Sequence, residues 1–175
     1  MASYALVRSA NFLLVVASIY FSPSSGVSQD VLATICGQTQ NQETCEKTLQ
    51  SDPRTISADP PILSLISLEL TMKQVDMNFN AFSQFRDNTS DLALKIAFES
   101  CVTLYQNMKD ILRADYKLSQ QGKYDRITDL GQLTTLAYNC ENGIPSSISP
   151  TAGITEDMLL IAQTAVYTNS YVAGS

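Results

Sequence analysis

The sequence predicts an all-α protein: an antiparallel four-helix bundle preceded by a helical hairpin that a disulfide closes. Three observations carry that prediction. Along four long stretches after residue 59, apolar residues recur in steps of three and four, the spacing of one helix face. Short polar segments rich in Gly, Pro, Asp and Asn separate those stretches. Four cysteines stand as a close pair, Cys36 and Cys45, and a distant pair, Cys101 and Cys140, lodged in two of the long stretches.

The chain opens with what reads as a secretory leader over residues 1–28. Arg8 supplies the positive start, and Phe12 to Phe21 form an apolar run too short to cross a bilayer. Gly26 and Ser28 place small residues at minus three and minus one of a cut before Gln29. No later stretch reaches the ~18 apolar residues of a membrane helix. Residues 29–175 are therefore expected as one secreted domain with no membrane attachment after cleavage, long enough for one core.

Residues 29–59 are expected to form the hairpin. Val31, Leu32 and Ile35 precede Cys36, Leu49 follows Cys45, and the polar residues between them turn the chain. Helices this short are marginal alone, so a Cys36–Cys45 bond matters here. The bundle occupies 60–175. Asp59 caps its first helix, Pro60 and Pro61 suit the first turn, and Leu65, Leu68, Met72, Val75, Phe79 and Phe82 make the stripe. A turn at 87–90 leads to a second helix capped near Ser90 or Asp91, with Leu94, Ala97, Cys101, Leu104, Met108, Ile111 and Leu118 inward. Gly122 ends it. A third helix is expected over 123–141, with Ile127, Leu130, Leu133 or Thr134, Ala137 and Cys140 on one face. After a loop at 142–153, Thr155 and Glu156 reopen a fourth helix with the stripe Ile154, Met158, Ile161, Ala165, Thr168 and Val172. A Cys101–Cys140 bond would then join the second and third bundle helices from within their apolar faces.

Composition narrows the chemistry. An even cysteine count behind a leader reads as a disulfide framework. The spacing does not suit zinc, and the chain has no histidine. Without histidine, Ser-His and Cys-His dyads are impossible and the commonest general base is absent. Carboxylates alone can work in glycosidases, but here the acidic residues fall mostly on solvated helix positions. No catalysis, cofactor or metal is expected. Removal of Arg8 with the leader leaves a net charge of about −7, which lacks the basic footprint of nucleic-acid binding and favours a basic protein partner.

Several motifs carry a resemblance. Ile35-Cys36-Gly37-Gln38 with Glu43-Thr44-Cys45, then Ser51-Asp52-Pro53-Arg54, Phe98-Glu99-Ser100-Cys101, Gln121-Gly122-Lys123-Tyr124 and Asn139-Cys140-Glu141 occur in order with the four cysteines in register. Together they resemble the plant invertase and pectin methylesterase inhibitor family across essentially the whole mature chain. The resemblance implies a hairpin plus four-helix bundle, first-to-second and third-to-fourth disulfides, and no catalysis. It also implies reversible, stoichiometric blocking of a carbohydrate-active enzyme in the apoplast, less so the vacuole. The tetrapeptide Ser51-Asp52-Pro53-Arg54 is similar to pectin methylesterase inhibitors. Where invertase inhibitors of one type carry Pro-Lys-Phe, this chain has Gly122-Lys123-Tyr124, which keeps the lysine and an aromatic and loses the proline. Asn142 stands where an acidic residue often follows the last family cysteine and its glutamate.

Pectin methylesterase is accordingly the expected target and acid invertase the alternative, with a non-inhibitory bundle of the same fold as a further one. Lys123 and Tyr124 are the candidate target-binding residues. Their ordinary roles would be a solvated charge and a hydrophobic staple at the start of the third bundle helix. Tyr105, one turn from Cys101, is expected at the core edge. Asn88-Thr89-Ser90 is a glycosylation sequon in an expected turn.

Overall fold

The computed structural model describes residues 27–145 and 151–175. Apart from its last two positions, the expected leader lies outside the described residues. So does most of the loop before the last helix.

The hairpin consists of α1 (Gln29–Cys36) and α2 (Gln42–Gln50). The Ser28 hydroxyl accepts the Val31 amide of α1, and Asn41 Oδ1 accepts the Thr44 amide of α2, so each helix begins on a side-chain cap. Gly37 closes α1 where no side chain fits: a Cβ there would stand 2.8 Å from the Ala33 carbonyl oxygen. The Cys36–Cys45 disulfide joins the two helices with Cα atoms 5.5 Å apart. Leu32, Ile35 and Leu49 form a small core with Ala58, Leu63 and Ile66, and Tyr167 and Tyr171 pack on it from the last helix. The hairpin is thus seated on the bundle by apolar burial, the term that lets such short helices persist.

A 3-10 turn (Pro53–Ser57) leads into the bundle helices: α3 (Pro60–Asn88), α4 (Leu92–Gln120), α5 (Gln132–Gly143) and α6 (Ala152–Gly174). Asp59 Oδ1 accepts the Ile62 amide and Asp91 Oδ1 the Leu94 amide, at 2.9 and 3.0 Å. Each of the four helices packs on the next in sequence, and α6 returns to α3, so the bundle closes as an antiparallel ring. Its core runs from Phe82, Phe98 and Tyr105 at one end through Met108, Leu112, Leu133 and Met158. The Cys101–Cys140 disulfide crosses it between α4 and α5, with Cα atoms 4.7 Å apart.

Five expectations need correction. The expected third bundle helix over 123–141 starts late: Tyr124–Arg126 and Asp129–Gly131 are separate 3-10 turns, and α5 begins only at Gln132. Ile127, at ψ 85°, breaks the helical run between them, yet Leu130 is still buried. The stripe of α4 is displaced. Tyr105, Leu112, Asp115 and Ser119 join Cys101 and Met108 inside, while Leu104, Ile111 and Leu118 flank it half-buried. Residues 101, 105, 108, 112, 115 and 119 advance in alternating steps of four and three along one face, and 104, 111 and 118 lie to one side of it. Tyr105 is fully buried rather than at the edge. Finally, α3 runs through Asn88, and α6 opens at Ala152 instead of Thr155.

Polar groups also lie inside. The Ser64 hydroxyl of α3 donates to Asn169 Oδ1 of α6 at 2.5 Å and bonds the Ser119 hydroxyl of α4 at 2.7 Å. Asn169 Nδ2 donates to the Ala165 carbonyl and to the Ser67 hydroxyl. Farther along, Asn78 Nδ2 of α3 donates to the Tyr105 hydroxyl of α4. Burial pushes that phenol up to about 12. Buried donors and acceptors that find each other across helices avoid the desolvation cost each would bear alone.

Candidate functional site

Lys123 and Tyr124 stand at the corner where α4 gives way to the 3-10 turns. Gly122 adopts a left-handed conformation with φ of 68°. Its amide donates to the Ser119 carbonyl and the Lys123 amide to the Leu118 carbonyl, both at 3.0 Å. This pair of bonds is a Schellman stop. It throws the Lys123 side chain into solvent, where its ammonium donates to Gln121 Oε1 at 2.7 Å. Tyr124 is half-buried. The corner therefore presents a charge and part of an aromatic ring on a backbone held by two hydrogen bonds.

A second exposed surface lies toward the other end of α5. Tyr138 is 48% exposed, opposite the buried Ala137 and Cys140. Beside it a cleft of about 380 Å³ is bordered by Asn142 of α5, Glu156 and Leu159 of α6, and Gln40 from the hairpin turn. Glu141 braces this region: its carboxylate accepts the Thr151 and Thr155 hydroxyls at 2.8 Å, joining the end of α5 to the start of α6. Gln163 Oε1 accepts the Gln40 amide and holds the hairpin turn to α6. Sequence reasoning missed Tyr138. Its signal was present, since an aromatic two residues before an inward cysteine cannot share the cysteine's face.

Along the adjoining α4, Leu92 and Ile96 are 71% and 64% exposed. An exposed aromatic residue among neutral polar ones has the composition of a protein-docking surface. On α5, Thr135, Tyr138, Asn139 and Asn142 supply that surface. Among the described residues no cluster of His, Cys, Asp or Glu could hold a metal ion.

The tetrapeptide Ser51-Asp52-Pro53-Arg54 occupies neither surface. Asp52 Oδ1 accepts the Arg54 backbone amide and the Arg54 Nε, both at 2.9 Å, and Oδ2 accepts Nη2 at 2.6 Å. Arg54 also donates to Glu69 of α3, whose other oxygen accepts the Tyr116 hydroxyl of α4 at 2.7 Å. Partial burial works to raise the Glu69 carboxyl, but the bonds from Arg54 and Tyr116 outweigh it and hold it below its ordinary value. Asp52 is pulled down by its bond to Arg54. The tetrapeptide is thus a latch joining the hairpin to α3 and, through Glu69 and Tyr116, to α4.

Asn88 is exposed as the last residue of α3, not within the turn itself. Among the described residues no helix is long and apolar enough to cross a membrane.

Comparison with known proteins agrees with this architecture. A family model described as plant invertase/pectin methylesterase inhibitor matches residues 30–165. A pectinesterase inhibitor of Actinidia deliciosa is 24% identical over 115 residues, spanning 66% of this chain and 62% of the relative's length. The crystal structure of a mutant pectin methylesterase inhibitor from Arabidopsis superposes with a TM-score of 0.69 at 20% identity, covering 79% of this chain and 95% of the other.

Proposed function

The chain belongs to the plant invertase/pectin methylesterase inhibitor family, and from that premise we propose that it is a secreted inhibitor of pectin methylesterase. Residues 1–28 would serve as leader and 29–175 as the inhibitor domain. The observation that carries this reading is the family match over residues 30–165, supported by the relative that is itself a pectinesterase inhibitor. Inhibition is by obstruction: the exposed faces of α4 and α5 lie over the substrate cleft of the enzyme, and Tyr138 is the central anchor. Two disulfides and a braced α5–α6 junction make the face rigid, so little conformational entropy is lost on docking and a modest polar surface binds tightly. The acidic balance of the chain favours a basic enzyme and fast association at low salt. The site of action is the apoplast, and a glycan on Asn88 would project from the bundle end.

Acid invertase is the second reading, supported by the solvent-facing Lys123 beside Tyr124. Equimolar mixing of the purified protein with each enzyme, followed by residual activity, tests both. Pectin methylesterase is expected to lose activity, and Tyr138→Ala to weaken inhibition about tenfold or more. Loss of invertase activity alone, restored by Lys123→Ala with Tyr124→Ala, would transfer the assignment to invertase. No response from either enzyme at micromolar protein would mean a bundle without inhibitory function.

A further inference from the structure

Between the hairpin and the bundle runs a groove of about 320 Å³ to which α4 and α5 contribute nothing. Thr44, Lys47 and Thr48 line it from one face of α2, and Lys73 and Gln74 from α3. Leu70 and Ile161 form an apolar floor, and Met77, 49% exposed, closes one end. The chain carries 17 acidic residues against 11 basic ones, yet the lining of this groove holds two lysines and no carboxylate. Lys73 makes no ion pair among the described residues, and Lys47 pairs only with Glu43 of its own helix, both side chains mostly exposed. Such a pair contributes little and opens readily. The Thr44 and Thr48 hydroxyls have no hydrogen-bond partner among the described residues. Their positions are fixed nevertheless, because the Cys36–Cys45 disulfide ties α2 to α1 and the Arg54 latch ties the turn after α2 to α3.

We propose that this groove is a binding site for an acidic oligosaccharide, separate from the face that would engage an enzyme. Two ammonium groups from different helices suit carboxylates on successive sugar units. The threonine hydroxyls and the Gln74 amide suit ring hydroxyls, and the apolar floor takes the C–H face of a ring. The volume sits at the small end of the ~300–1,000 Å³ common for small-molecule pockets, enough for one or two sugar units. A neutral sugar would leave the lysines unused, and a small inorganic anion would leave the floor uncovered. The inference is independent of which enzyme is inhibited, and its test uses no enzyme.

Trigalacturonic acid is the probe, titrated into the isotope-labelled protein and followed through amide resonances. The expected result is saturable shifts at Thr44, Thr48, Lys73 and Gln74, with affinity in the millimolar range or tighter. The fully methyl-esterified trimer, and added salt, should weaken binding about tenfold. Lys47→Ala with Lys73→Ala should weaken it by about as much or more, while leaving the melting temperature nearly unchanged because both side chains are exposed. Absence of shifts, shifts that survive the double substitution, or equal binding of the esterified trimer would overturn the proposal. Equal shifts from sulfate at the same concentration would overturn it too, since the groove would then be a site for small anions.

Discussion

At Asp115 a carboxyl group fills a position where α4 requires an inward side chain. It is 3% exposed, and Oδ2 has no hydrogen-bond partner among the described residues. Burial, with the charge of Asp129 as a second cause, pushes it up to about 6 from the ordinary 3.8. The folded protein therefore keeps this proton at a pH where the unfolded chain has lost it. Asp115 imposes no electrostatic cost below about pH 3.8; as the pH rises through about 6, stability is lost until the carboxyl is fully ionised. At one pH unit to about 1.4 kcal/mol, the cost at neutral pH is at most about 3 kcal/mol. Asp115→Asn should thus melt close to the wild type at pH 4 and several degrees above it at pH 7. Parallel melting curves across that range would refute the account. The sequence held the clue, since 108, 112, 115 and 119 continue the line of Cys101 and Tyr105, but a carboxylate ordinarily belongs outside.

Among the elements, the segment between α4 and α5 departs most from periodic reasoning. Ile127 and Leu130 have helical spacing and do pack inward, so hydrophobic pattern alone cannot tell one long helix from two 3-10 turns that bury the same residues. Long α3 and α4 were legible because capping aspartates and many turns of stripe agree with one another. The corner depends on local backbone geometry instead, and Gly122 sets it. Nothing lies within 4 Å of a Cβ added there, so Gly122→Ala isolates the conformational term at φ 68°. The expected loss is about 1 kcal/mol, with faster amide exchange confined to residues 121–131. A neutral effect on stability would mean that the corner is not held left-handed in solution. For Tyr138 the sequence held its exposure, through its spacing from Cys140, but not its surroundings, which are visible only once neighbours such as Glu156 and Gln40 are placed around it.

For the whole molecule, the two disulfides close loops of different size. The Cys101–Cys140 bond spans 39 residues and the Cys36–Cys45 bond 9. In the chain-entropy model these are worth about 4 and about 2.6 kcal/mol. Replacing both Cys101 and Cys140 by Ser should therefore lower global stability more in denaturant titration, whereas the same change at Cys36 and Cys45 should first loosen the hairpin. Hydrogen exchange separates the two outcomes: general loss of protection in the former, loss confined to α1 and α2 in the latter. Equal and global effects would show that hairpin and bundle unfold as one unit.

The buried bonds among Ser64, Ser119 and Asn169 bear on how the helices could otherwise slide. Apolar stripes repeat each turn, so a helix displaced by one turn, about 5.4 Å, would still meet leucines and methionines. Hydroxyl and amide groups are not interchangeable with them. Shifting α6 by one turn would carry Asn169 away from Ser64 and Ser67 and break both of its bonds to α3, and a like slip of α4 would part Ser119 from Ser64 and Tyr105 from Asn78. The interior polar contacts thus act as teeth on a ratchet: they penalise every neighbouring register while adding little to the correct one, and only one alignment of the helices brings Cys101 opposite Cys140.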